Sequence, residues 1–275
     1  MCLRKLKRFS LLFLFLFSLP IIIGQFPFPN NEMTTQKSKS ERPHVVYAAT
    51  EPIVTVPEEE KPAVDPFDVL LMFTHSHESY KPIVKKTKGM QAVYDEEMNI
   101  FSLQEMMQHY LELNDLTPHI VDFDVMTEMK QVDATFHQAY KVARPVLAEY
   151  LEGSEYDLVI DFHRDSAPKK VTTLTANNEQ YAKIAFVVGA EHPAYEANLA
   201  YATMLSEQVN RILPGVSRGI IKKSGTGVDG VYNQDLATNV LLIEFGGIDN
   251  TEEELQRTMA ILAQAIRVAF VESAA

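Results

Sequence analysis

The stretch DVLLMFTHSHES, residues 68–79, decides how this chain is read. VLLMF (69–73) is an unbroken apolar run, short enough for a strand buried on both faces. Directly after it come His75, His77 and Glu78. Titratable groups set against a core are costly unless they are paired or bind a metal. The run therefore ends as a metal site, a catalytic pair, or a polar loop rich in His.

Two further apolar runs end in the same way. DLVIDFH (157–163) leads through His163 into Arg164 and Asp165, and NVLLIEFGG (239–247) carries Glu244 just before two glycines. Helical spacing marks the segments between them: FSLQEMMQHYLEL (101–113), TFHQAYKVARPVLAEYLE (135–152), where Pro145 kinks or divides the helix, and YEANLAYATMLSEQVNRIL (195–213), stopped by Pro-Gly. HIVDFDV (119–125) reads as a strand. KKVTTLTA (169–176) and KIAFVVGA (183–190) follow the 157–163 strand, and Asn250 reads as the cap of the last helix. Buried strands alternating with helices predict an α/β fold with a largely parallel sheet covered by helices on both faces. Such sheets bind ligands beyond the carboxyl ends of their strands. If the three strands run parallel, that edge gathers His75, His77, Glu78, His163, Arg164, Asp165 and Glu244.

Imidazole nitrogen and carboxylate oxygen are zinc donors, and a catalytic zinc uses three protein ligands and one water. His75-x-x-Glu78 with His163 meets that count; His77 is the alternative to His75, since only one of the pair aims at a given point. A further carboxylate must take the proton of the attacking water and deliver it to the leaving nitrogen. Glu244, on an apolar strand that raises its pKa, suits that role; otherwise it is a structural acid bonded to backbone N–H. Arg164 and Asp165 read either as an ion pair or as substrate contacts. His44 falls in the stretch before the domain, and His119, His137 and His192 read as surface or helix residues. KKSGTGVDGVYNQDL (222–236) lacks the order of a phosphate loop and reads as a loop beside the cleft, with Tyr232, Asn233 and Gln234 as substrate contacts.

The rest of the 275 residues bounds the setting. Arg4, Lys5, Lys7 and Arg8 precede an apolar run from Phe9 to about Phe28, the pattern of a signal peptide or a membrane anchor. No small-x-small cleavage pattern follows Gly24, so residues 1–28 read as a single-pass anchor with the rest of the chain on the extracytoplasmic side. Residues 29–65 are rich in Pro, Ser, Thr, Lys and Glu and read as a flexible tether, leaving 66–275 as the catalytic domain. Beyond residue 24 there are 21 Lys+Arg against 37 Asp+Glu, net −16, which argues against a nucleic-acid partner. The only cysteine, Cys2, precedes the apolar run, which excludes a disulfide and a thiol nucleophile from the domain.

THSHESY, DFHRDS, FVVGAEHPAYEANLAYA, LPGVSRGI, GVYNQDL and LIEFGGIDNTEEE, in this order over about residues 66–270, resemble the stage II sporulation protein P family. The resemblance implies a membrane-anchored cell-wall hydrolase of endospore-forming bacteria, with an α/β fold and zinc-dependent N-acetylmuramoyl-L-alanine amidase chemistry. It also implies cleavage of peptide cross-links, and action beside a lytic transglycosylase and a membrane scaffold protein during engulfment. Carried over residue by residue, it puts His75, Glu78 and His163 on the metal and makes Glu244 the acid–base. The family pattern reads His-Thr-His-x-x-Glu where this chain has Phe73 in the first place. Two other readings stand beside this one. One is a zinc peptidase confined to cross-links, since H-x-x-E with a distant His also resembles the metallocarboxypeptidase set. The other is a non-catalytic wall-binding protein.

Overall fold

The structure, a computed structural model, describes residues 66–272, so the anchor and tether lie outside the described residues. A six-stranded sheet is built from β1 (Phe67–Met72), β2 (Leu116–Ile120), β3 (Leu158–Asp165), β6 (Ile184–Gly189), β7 (Ser217–Lys223) and β8 (Val240–Gly247). The order is β2-β1-β3-β8-β6-β7. Every neighbouring pair is parallel except β8 with β6, so β6 and β7 run against the other four. β4 (Thr173–Ala176) and β5 (Glu179–Ala182) form a separate hairpin. Its two-residue turn is Asn177-Asn178, both at positive φ, the backbone a tight hairpin demands.

Alternation along β1 explains its continuous apolar run. Val69 and Leu71 enter one core layer with Met107 and Leu111 of α2 (Gln104–Glu112), Leu205 and Val209 of α6 (Tyr195–Ile212), and Met259 and Leu262 of α7 (Glu252–Ile266). Leu70 and Met72 enter the opposite layer with Val125 and Met129 of α3 (Val125–Gln131) and with Ala143 and Leu147 of α4 (Ala139–Gly153). Helices therefore cover both faces, as the sequence pattern predicts. Two short helices complete the set, α1 (Lys81–Lys88) and α5 (Lys169–Thr172).

Several boundaries differ from expectation. The strand expected at 119–125 starts earlier, at Leu116, and Asp124 instead caps α3 by accepting from the Thr127 N–H. Pro118 is tolerated because β2 is an edge strand. α4 runs through Pro145 without dividing. The cap of α7 is Thr251, which forms a reciprocal capping box with Glu254; Asn250 instead bonds Gly247, Thr173 and Glu254. β7 was not expected, since SRGIIKK lacks a clear alternation.

Candidate functional site

β1, β3 and β8 lie side by side and parallel, so their carboxyl ends meet at one edge. β3 and β8 then carry their polar groups on one face. Val159, Asp161 and His163 form one row, and Val240, Leu242 and Glu244 form the next, with His163 opposite Glu244. Val159 and Val240 pack in the layer under α3 and α4, so the polar ends of both rows emerge on that face. They open into a cleft of about 740 Å³ lined by His75, Glu78, His163, Arg164, Glu244 and Tyr232, among others.

His75, Glu78 and His163 each present a donor atom within 4.8 Å of the others. His75 Nδ1 is 3.7 Å from Glu78 Oε1, and His163 Nδ1 is 3.8 Å from Glu78 Oε2. Nitrogen and oxygen donors at ~2.1 Å from a common zinc stand less than about 4.2 Å apart, and these separations fit. The support behind His163 fits as well. Its Nε2 is 3.0 Å from Asp161 Oδ2, which leaves Nδ1 to face Glu78. Asp161 is itself held by the Thr74 N–H and hydroxyl, at 2.9 and 2.7 Å. A carboxylate behind a ligating imidazole is the usual way its tautomer is fixed. Neither Asp161 nor Thr74 is among the sequence-derived candidates, although an acid in the middle of the apolar run LVIDF is the signal that could have found the former.

The electrostatics follow from this packing. Burial disfavours charge on His163, but the Asp161 carboxylate outweighs it and holds the imidazole up at about 9. Burial alone would raise Glu78; its bond to His75 and the charges of His163 and Arg164 bring it below the usual carboxylate range. Glu244 is pushed up to about 7, first by burial and then by Glu78 and Asp165. Its Oε2 is buried without a hydrogen-bond partner. It is therefore not the structural acid bonded to backbone N–H that the sequence left open.

The other candidates separate clearly. His77 turns away from the group: its Nε2 is 2.9 Å from Asp124 Oδ2, so it does not take the place of His75. Arg164 lines the cleft, with its backbone N–H on Glu78 Oε2 at 2.7 Å and its guanidinium on the carbonyls of Val93 and Asp165 and over the Tyr94 ring. The Arg164–Asp165 ion pair does not form; Asp165 pairs with Arg218. Tyr232 reaches the cleft, but Asn233 and Gln234 do not line it. Gln234 is 1% exposed, donating to Val187 O and accepting from the Gly189 N–H, and Asn233 bonds Tyr140 O and Arg144. The substrate-contact role expected of these two is replaced by fastening the loop to β6 and α4. His192 is buried, not a surface residue. Phe73 packs edge-to-face with Phe101 and stacks with Phe162 in the layer on the far face of the sheet, away from the donor group of the cleft.

Known proteins resemble this chain in sequence and, more distantly, in structure. The family model for Stage II sporulation protein P (SpoIIP) matches residues 26–267. The Stage II sporulation protein P of Bacillus subtilis (strain 168) is 35% identical over 190 residues, covering 69% of this chain and 47% of that protein. The chain thus spans about half the length of the curated relative it matches. Among solved structures, the CwlD amidase of Clostridioides difficile, in complex with the GerS lipoprotein, aligns with 74% of this chain and 96% of its own at 11% identity and a TM-score of 0.47. An N-acetylmuramoyl-L-alanine amidase from Clostridium difficile 630 aligns with 76% and 99% at 13% identity and a TM-score of 0.45. The match over residues 26–267 places this chain in the stage II sporulation protein P family.

Proposed function

We propose that the chain is a zinc-dependent peptidoglycan hydrolase that cuts the amide between N-acetylmuramic acid and L-alanine. The observation that carries this reading is the unpartnered Glu244 carboxylate, which shares one cleft with the His75, Glu78 and His163 donors. A zinc ion held by those three residues would supply Lewis-acid polarisation of the scissile carbonyl and a lowered pKa for water.

The protein's own groups do the remainder. Asp161 keeps Nε2 of His163 occupied so that Nδ1 faces the donor group. Glu244 accepts a proton from the attacking water and delivers it to the amide nitrogen as the C–N bond breaks, and a carboxyl near 7 serves both transfers. Arg164 holds a fixed positive charge at the cleft, opposing the negative charge that develops on the carbonyl oxygen. In this reading residues 1–28 anchor the chain in the membrane, 29–65 tether it, and 66–275 work on the extracytoplasmic side. Family membership supports a role in septal wall degradation during engulfment, beside a lytic transglycosylase and a membrane scaffold protein.

Digestion of purified peptidoglycan with and without a zinc chelator, followed by mass spectrometry, tests the reading. Intact stem peptides freed from glycan are expected, and chelation abolishes them. Split cross-links alone would identify a peptidase, and sacculus binding without products would identify a wall-binding protein.

A further inference from the structure

The cleft is longer than the donor group needs. Its floor runs away from Glu244 across the sheet, over Leu242 of β8 and Val187 of β6, to Lys223 at the end of β7. Registers fix this path. Leu242 is opposite Val187, Val187 is opposite Ile221, and Lys223 follows two residues later on the same face, opposite Gly189. Tyr140 and Tyr232 flank the apolar middle of the floor. Four residues along the strands and two strands across put the Cα atoms of Glu244 and Lys223 about 16 Å apart, at ~3.3 Å per residue and ~4.8 Å per strand. A lysine side chain covers part of that span, leaving room for two to three extended residues at roughly 3.5 Å each.

Lys223 is also the odd cation of its strand. Arg218 is paired with Asp165, and Lys222 lies over the Tyr195 ring. Lys223 lines the cleft, is half-buried, and among the described residues its ammonium has neither a carboxylate nor a hydrogen-bond acceptor. Asp229, the acid of the facing loop, turns Oδ1 to the backbone N–H groups of Val231 and Tyr232. A half-buried cation without a partner, at the far end of an apolar floor in a chain of net charge −12, is a site for an anionic group. Past its first alanine, the stem peptide of peptidoglycan carries carboxylates.

Resting on the proposed amidase reading, we infer that Lys223 binds a free carboxylate on the second or third residue of the stem peptide, counted from the scissile amide. The stem then lies along Leu242 and Val187, and the sugar lies on the other side of the donor group. Carboxylates that have been amidated escape this contact, so Lys223 makes the enzyme selective for unamidated stems.

The test uses the full chain, zinc-loaded, and synthetic N-acetylmuramoyl tripeptides whose second- and third-residue carboxylates are free or amidated. Wild type is expected to favour the free form about tenfold in kcat/KM, roughly one partly buried charge-assisted contact. Lys223→Ala is expected to remove that difference, Lys223→Arg to keep most of it, and Lys223→Glu to reverse it, with thermal melting confirming that each variant folds. Calorimetric binding of the tripeptide alone supplies a second readout: Lys223→Ala weakens the free acid about tenfold and leaves the amidated peptide as it was. Equal preference, or equal tripeptide binding, in wild type and Lys223→Ala overturns the inference. A wild-type protein that cuts no muramoyl amide overturns the amidase reading instead, while tripeptide binding still judges Lys223.

Discussion

His163 Nε2 lies 3.0 Å from Asp161 Oδ2, two residues back on the same strand and the same face of the sheet. Both Asp161 oxygens also accept from Thr74, so the carboxylate is fixed before it fixes the imidazole. Asp161→Asn keeps the shape but must set its NH2 either against the Thr74 N–H, donor to donor, or against the Thr74 hydroxyl and the His163 ring nitrogen, where it favours the wrong tautomer, so the support is lost either way. Zinc affinity of the variant is expected to fall about 10–100-fold. Competition with a chromophoric chelator measures this, and an unchanged affinity in a folded variant would rule out the orienting role.

Glu244 gives a prediction with a defined sign. Its carboxyl sits at about 7 in the folded protein, above the ~4.3 of an unfolded glutamate. The folded state therefore holds this proton more tightly. That contribution is complete below the unfolded value and is lost as pH rises through about 7, at a cost of about 3–4 kcal/mol in the metal-free protein. Glu244→Gln removes the cost. The metal-free variant is expected to melt above wild type at pH 8.5 and level with it near pH 4. Turnover on peptidoglycan is expected to fall at least 100-fold with zinc still bound, and near-normal turnover would remove Glu244 from the mechanism.

Most of the site is legible because a parallel sheet converts three separate apolar-then-polar runs into one edge. That single step gathers His75, His77, Glu78, His163, Arg164, Asp165 and Glu244, and leaves open which of the two histidines aims at the donor group. What fails to show is the support around them. Asp161 is hidden inside a run that reads as core, and its partners are His163, two residues on, and Thr74, 87 residues away. Gln234 looks like a loop contact because its partners, Val187 O and the Gly189 N–H, belong to a strand that sequence spacing cannot pair with it. β7 is missed because SRGIIKK, at the sheet edge, shows neither a continuous apolar run nor a clear alternation.

The correction at Gln234 has its own consequence. Gln234→Ala leaves one buried backbone donor and one acceptor without partners, at about 1–3 kcal/mol each. The variant is expected to lose that stability in urea titration while KM on muropeptides, measured well below the melting point, changes less than twofold. A large rise in KM at unchanged stability would restore the substrate-contact role.

Phe73 stands where the family pattern has a first histidine, and, just past the end of β1, it joins Val69 and Leu71 in the layer opposite the cleft. The ring is 2% exposed and packs at 5.5 Å from Phe101 and 6.1 Å from Phe162. Phe73→His exchanges that packing for a buried imidazole with no partner, an expected loss of about 2–4 kcal/mol. Zinc stoichiometry and affinity are expected to stay as they are, because the new ring lies across the sheet from the His163 row. Calorimetric zinc titration checks this alongside chemical denaturation. Tighter zinc binding in Phe73→His would mean that position 73 reaches the donor group, and that the three-residue set of His75, Glu78 and His163 is incomplete.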